Sequence, residues 1–280
     1  MNKKILIICR GGGDLATGIV HRLFRAGYQV LILETAEPAA IRRQVSFCEA
    51  VYEGTATVEG VTAERIYTAK KQAVEEVLQR GRIPLLVDPD GRSIEVLKPD
   101  VVVDAIIAKK NLGTYKEMAP LVIGIGPGFV AGEDVHLVVE SMRGHNLARI
   151  LENGSALANT GIPGNIGGYT KERVIHAAAE GYMKNLHQIG DVVRKGEKIA
   201  RIYEQMSPEG VFSGRFVSVE ATIPGVLRGL IREGYHFQKG FKIADIDPRE
   251  SELANCFTIS DKASSIGGSV LEAVCRYVNG

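Results

Sequence analysis

The sequence has no tryptophan, only four cysteines and no apolar run of membrane-spanning length. Without such a run there is no segment for a helical span. Cys9, Cys48, Cys256 and Cys275 share no C-x-x-C spacing, which excludes the usual structural zinc patterns and argues against a disulfide framework; no metal site is expected. The formal net charge is +1, so there is no electrostatic case for nucleic acid or an anionic membrane as partner. What is present fits a soluble globular protein: 280 residues, 45% hydrophobic and 24% charged, supply core for more than one domain. Met1-Asn2-Lys3-Lys4 leads directly into an apolar strand rather than a signal peptide, and a cytoplasmic location is expected.

The chain is organised around its first strand and loop. Lys4-Ile5-Leu6-Ile7-Ile8-Cys9 enters Arg10-Gly11-Gly12-Gly13-Asp14-Leu15-Ala16-Thr17-Gly18. Leu15, Ile19, Leu23 and Phe24 then recur at helical spacing, and residues 28–34 supply a second strand ending in Glu34. Gly11, Gly13 and Ala16 fit G-x-G-x-x-G/A, and Glu34 stands where an acid would take a ribose hydroxyl. The pattern predicts a Rossmann-like domain with Gly11, Gly12, Gly13, Asp14, Ala16 and Glu34 around a nucleotide. Asp14 stands either as a favourable charge at the positive helix end or as a ligand for a cation or a substrate hydroxyl. Cys9 is either a small buried strand residue or a thiol activated by the helix terminus.

A helix is expected over residues 37–50, with Arg42 and Arg43 either solvated or holding a ribose phosphate. Residues 83–87 and 101–107 read as buried parallel strands, with a hairpin at the Pro89-Asp90-Gly91 turn signal. Asp104 lies within the second of these runs, facing a cleft or paired, with Lys109 or Lys110 as candidate partners. A second strand-to-glycine transition, 121–129, is not followed by a helical pattern. Its Gly126 and Gly128 are expected to line the same crevice. Asp14, Asp104 and His145 are the catalytic candidates, with His136 as another proton carrier.

The glycine-dense stretch from Asn159 to Tyr169 marks the expected domain boundary. Beyond it, 181–202 aligns with 225–246 at an offset of 44, with nine identities in 22 positions. Two copies suggest two halves of one closed unit. Gly190-Asp191-Val192-Val193-Arg194-Lys195-Gly196 resembles the wording of biotinyl and lipoyl carrier domains, which implies a barrel-sandwich hybrid. Residues 203–222 contain no lysine, so covalent biotin or lipoate is not expected. The tail ends in a helix carrying Val270, Leu271, Val274, Cys275 and Val278, expected to dock on the first domain. Asp261 and Lys262, at its start, read as a functional pair or a solvated one. The expected organisation is a nucleotide-binding domain over 1–169, a barrel-sandwich hybrid over 170–250 and a C-terminal segment over 251–280.

Taken together, Arg10-Gly11-Gly12-Gly13-Asp14-Leu15-Ala16-Thr17-Gly18, Gly124-Ile125-Gly126-Pro127-Gly128-Phe129, Asn159-Thr160-Gly161, Gly225-Val226-Leu227-Arg228-Gly229-Leu230-Ile231, Asp245-Ile246-Asp247-Pro248-Arg249 and Thr258-Ile259-Ser260-Asp261-Lys262-Ala263 resemble the YqeB-type family of selenium-dependent molybdenum hydroxylase system proteins. The resemblance implies an accessory role in maturing such a hydroxylase, with the hydroxylase or other maturation proteins as partners. It further implies NAD(P) or a molybdopterin dinucleotide as ligand at the glycine loop. Two alternatives stay open: an NAD(P)-dependent oxidoreductase or cofactor-modifying enzyme using that pocket, and a non-catalytic scaffold recruiting the hydroxylase.

Overall fold

A computed structural model describes residues 5–159, 161 and 164–280. Met1 to Lys4, and Thr160, Ile162 and Pro163 of the expected boundary, lie outside the described residues. The chain divides into two compact units, one of Met1–Pro38, Val45–Thr160 and Ile259–Gly280, the other of Ala39–Gln44 and Gly161–Thr258.

The first unit holds β1 (Leu6–Arg10), α1 (Asp14–Arg25), β2 (Gln29–Glu34), α2 (Ala50–Glu53), β3 (Thr55–Val58), β4 (Val61–Ile66), α3 (Lys71–Gln79), β5 (Ile83–Val87), α4 (Arg92–Leu97), β6 (Val101–Asp104), β7 (Leu121–Ile125), β8 (Leu137–Val139) and β9 (Ile150–Leu151). They form a nine-stranded sheet in the order β3-β4-β5-β2-β1-β6-β7-β8-β9. Pairing is parallel from β4 to β8, and an antiparallel hairpin closes each edge. Alternate residues of the central strands feed two cores, because side chains in a strand point to opposite faces. Ile7 and Cys9 pack with Ile19 and Leu23 of α1, while Ile8 packs with Val74 of α3 and Ile94 of α4.

The second unit carries β10 (Val174–His176), β11 (Gly181–Asn185), β12 (Val192–Val193), β13 (Lys198–Met206), β14 (Phe212–Glu220), β15 (Gly225–Leu230), β16 (His236–Phe237) and β17 (Lys242–Asp247). Two antiparallel sheets, β10-β17-β15-β12 and β14-β13-β11-β16, enclose a core around Met183, Ile199, Leu227 and Ile243. The internal repeat has a physical reading here. Each copy lends its short middle strand to the other copy's sheet: β12 pairs with β15, and β16 pairs with β11. Gly181 and Gly225, equivalent in the repeat, have φ of +152° and +144°. A Cβ there would lie 2.3 Å from the Tyr203 carbonyl oxygen and 2.1 Å from that of Asp247, so only glycine fits.

The expected fold class, a Rossmann-like parallel sheet followed by a biotinyl-like barrel-sandwich hybrid, is corrected by this topology. The large sheet is mixed, because β3 pairs antiparallel with β4 at one edge and β9 with β8 at the other. The second unit is a pair of four-stranded sheets, enlarged by the long β13–β14 hairpin and by β10. Two local expectations also change. Residues 39–44 leave the first unit to join the second, where the Leu230 N–H donates to the Ile41 carbonyl at 2.8 Å, instead of continuing a helix. The Pro89-Asp90-Gly91 turn opens α4 rather than a hairpin, because the Asp88 carboxylate accepts the N–H groups of Arg92 and Ser93 at 3.1 and 2.8 Å. The last helix, α5 (Asp261–Asn279), packs on α1 within the first unit.

Candidate functional site

The carboxyl ends of β1, β2 and β6 meet at the glycine loop. Gly11 has φ of +99°, and a Cβ there would stand 2.9 Å from the Ala105 carbonyl oxygen. At Gly12 a Cβ would press on the Cys48 backbone, whose N–H donates to the Gly12 carbonyl at 2.8 Å. The Gly12 carbonyl also accepts the Thr17 hydroxyl at 3.2 Å, while the Gly12 N–H donates to Glu34 Oε2 at 2.8 Å. Gly11 is therefore required by its own protein neighbours, and Gly12 is tightly packed against Cys48. Gly13 differs: a Cβ there meets nothing within 4 Å, and it caps α1 without a side-chain hydrogen bond. The open part of the loop is the first turn of α1, which carries Asp14 at its positive end. Ala16, one turn on, belongs to the core.

Carboxylates border that turn. Glu34 Oε1 accepts the Thr35 N–H at 2.8 Å. Burial raises the Glu34 pKa, and the bonds from Thr35 and Gly12 partly offset it. Cys48 is fully buried and lies in the fields of Glu34, Glu49 and Asp14; burial and these charges push its thiol well up. Cys9 is likewise held as a neutral thiol by burial, with Asp104 and Glu34 adding to the effect.

Opposite the acids stands Lys262, in the first turn of α5. It is half-buried, and no hydrogen bond or ion pair reaches its ammonium from the described residues. Burial, then the Arg143 charge, pulls its pKa down; Asp14, Glu140 and Asp261 act the other way. Arg143 is committed elsewhere, gripping Asp261 with both terminal nitrogens at 2.8 and 2.9 Å. Glu140 is committed too, accepting the N–H groups of Met142 and Leu157, each at 2.7 Å. Among the described residues, Lys262 thus remains a cation in the field of Asp14 with no hydrogen bond or ion pair of its own.

The other sequence candidates fall outside this opening. Asp104 is paired, but with Arg10 and Thr114 rather than Lys109 or Lys110. The Thr114 hydroxyl donates to Asp104 Oδ2 at 2.5 Å, and Arg10 lies 3.5 Å from the same oxygen. Arg10 also donates to Thr114 and to the carbonyls of Pro89 and Leu112. All three side chains are buried, so this is a lock that ties the loops near 89 and 112 to β1 and β6. Gly126 and Gly128 serve loop packing: added Cβ atoms would strike Ser141 Oγ at 2.4 Å and the Lys110 backbone at 2.7 Å. His136 Nδ1 accepts the Val122 N–H at 3.0 Å at the start of β7, away from the carboxyl ends, and burial lowers its pKa. His145 is exposed on the surface. Arg42 and Arg43, in the second unit, donate to the carbonyls of Asn255, Thr258 and Leu230. Among the described residues, no group of three or more His, Cys, Asp or Glu side chains is placed to hold a metal ion.

No family model matches the chain. Solved structures that align with most of it are desuccinylase and aspartoacylase relatives. The product-bound ectoine utilization protein EutE from Ruegeria pomeroyi covers 87% of this chain and 85% of its own, at TM-score 0.28 and 11% identity. A succinylglutamate desuccinylase from a Silicibacter species gives 0.26 and 12% over 88% and 85%, and an aspartoacylase family protein from Mesorhizobium loti 0.30 and 9% over 87% and 85%. At these TM-scores the likeness transfers neither an activity nor a site. A sequence relative is much nearer: protein YqeB of Escherichia coli is 46% identical over 274 residues, 98% of this chain and 48% of that protein. This agrees with the YqeB-type resemblance of the motifs, without carrying the selenium-dependent hydroxylase role. The chain spans about half the length of the curated relative it matches.

The expected function is corrected on these grounds. The expectation placed a nucleotide or dinucleotide at the glycine loop, and the loop's own hydrogen bonding does not fit that role. The loop itself supplies a physical reason: the Glu34 carboxylate occupies the Gly12 N–H, where a pyrophosphate would need an open donor and no negative charge.

Proposed function

We propose that the first unit binds a small molecule bearing a carboxylate and, a few bonds away, a hydrogen-bond donor, as α-amino and α-hydroxy acids do. The observation that carries this reading is a lysine in the field of Asp14, beside the uncrowded Gly13. The half-buried Lys262 ammonium, which makes no hydrogen bond or ion pair with the described residues, lies in the field of Asp14 in the first turn of α1, and Glu34 holds the Gly12 N–H just before that turn. Lys262 and the positive end of α1 favour a carboxylate. The Asp14 and Glu34 carboxylates accept a hydroxyl or ammonium and repel a phosphate dianion.

Calorimetry of the full chain against serine, aspartate, lactate, malate and inorganic phosphate tests this. An amino or hydroxy acid is expected to give saturable heat, and Lys262→Gln to weaken it about tenfold, the order of one charge-assisted hydrogen bond. Absence of saturable heat from all four acids, or acid binding that Lys262→Gln leaves unchanged, contradicts the reading.

A further inference from the structure

The first unit contains a second opening that the candidate site does not use. A cavity of about 450 Å³ is lined by Gly18, His21, Arg22 and Arg25 of α1, Glu59 of the β3–β4 turn, and Ile259 and Ser264 around the start of α5. From this cavity we infer a binding site for a phosphomonoester-type dianion. Arg22 and Arg25 are three residues apart on one helix face, so both guanidiniums reach the same space. The Ser264 hydroxyl accepts a hydrogen bond from Arg22 Nη2 at 2.5 Å, which fixes that guanidinium at the cavity wall. Arg25 makes no hydrogen bond or ion pair with the described residues, and its planar fork of donors is available.

Glu59 is the one acid of this lining, and it is engaged. Its Oε1 accepts the Ile259 N–H at 2.8 Å, and its backbone carbonyl lies 3.4 Å from His21 Nε2. His21 is only 9% exposed and presents an imidazole to a wall that already carries two cations. Two guanidiniums, an imidazole and a hydroxyl face one cavity against a single hydrogen-bonded carboxylate. Guanidinium forks match the paired oxygens of a phosphate, and the two arginines outweigh the one Glu59 carboxylate. The inference is independent of the proposal for Lys262, since the two openings share no lining side chain.

The test is binding of inorganic phosphate and of methyl phosphate to the full chain, followed by calorimetry, in the wild type, Arg25→Gln and Lys262→Gln. Arg25 is exposed, so its substitution leaves the fold intact, which a melting curve checks. The expected result is saturable binding that Arg25→Gln weakens about tenfold and Lys262→Gln leaves unchanged. Tighter binding of methyl phosphate supports a phosphorylated metabolite as the ligand, and equal binding supports free phosphate. Absence of saturable binding by either probe overturns the inference. Binding that Arg25→Gln leaves unchanged also overturns it.

Discussion

Glu34 Oε2 accepts the backbone N–H of Gly12 at 2.8 Å, so the acid that ends β2 closes the glycine loop that ends β1. The carboxylate does from within the protein what a ligand phosphate does in other glycine loops. Glu34→Ala leaves that N–H without its acceptor and is expected to cost about 1–3 kcal/mol of unfolding free energy. Urea denaturation measures it, with Glu34→Gln, whose carbonyl oxygen still accepts, costing less.

The same carboxyl sets a pH dependence. Burial raises its folded pKa, so the folded state binds this proton more tightly than the unfolded state does. Its contribution is therefore most favourable below the unfolded value and is lost as pH rises through the folded one. Asp104, also raised by burial, acts in the same direction. Stability curves of the wild type and Glu34→Gln, compared from pH 4 upward, are expected to diverge in slope, the variant losing less as pH rises. Identical slopes contradict the assignment.

The Arg10–Asp104–Thr114 lock is expected to be cooperative. Removing one charge strands the other in a buried setting and costs about 3–5 kcal/mol, whereas replacing both with apolar residues costs less than the sum. A double-mutant cycle on Arg10→Met and Asp104→Leu, read by chemical denaturation, checks this; additive losses contradict it.

Helix α1 meets α5 through glycine. A Cβ on Gly18 would lie 2.7 Å from the Ala263 Cβ and 2.8 Å from its carbonyl oxygen, and one on Gly267 would lie 2.7 Å from the Gly18 carbonyl. Helix propensity alone favours Gly18→Ala by about 1 kcal/mol. The contact reverses that sign, and a loss of about 1–3 kcal/mol is expected from the overpacked crossing. Gly13→Ala, facing open space, serves as the control and is expected to lose only the cap preference, less than about 1 kcal/mol.

The sequence showed the central strands, α1 and the repeat because each has a strong period or a strong identity block. Residues 83–87 and 101–103 are uninterrupted apolar runs, and Leu15, Ile19 and Leu23 mark one helix face. The edge hairpins were hidden, since 55–58 and 150–151 bury almost nothing and carry little pattern. Residues 39–44 misread as helix because their docking in the second unit is a long-range event: the Leu230 N–H that takes the Ile41 carbonyl lies far along the chain. At the site, Gly11 to Gly13, Asp14 and Glu34 were legible from spacing, but the Glu34–Gly12 bond that alters their meaning is tertiary. Lys262 was visible only as a charge beside glycines. Its freedom emerges once Arg143 is seen to take Asp261 and Glu140 to take two backbone N–H groups. Arg10, Arg22 and Arg25 gave no signal beyond ordinary surface arginines, and only the fold separates the buried lock from the cavity wall.

The most direct measurement follows the Lys262 side-chain nitrogen and the backbone amides by heteronuclear NMR while serine, aspartate, lactate or malate is added to the full chain. The account predicts that Lys262 titrates below the ordinary lysine range in the free protein. It predicts further that one of these acids shifts Lys262, Gly13 and Asp14 together and saturably, raising the Lys262 pKa. An ordinary Lys262 titration, or shifts confined to residues 164–258, would contradict it.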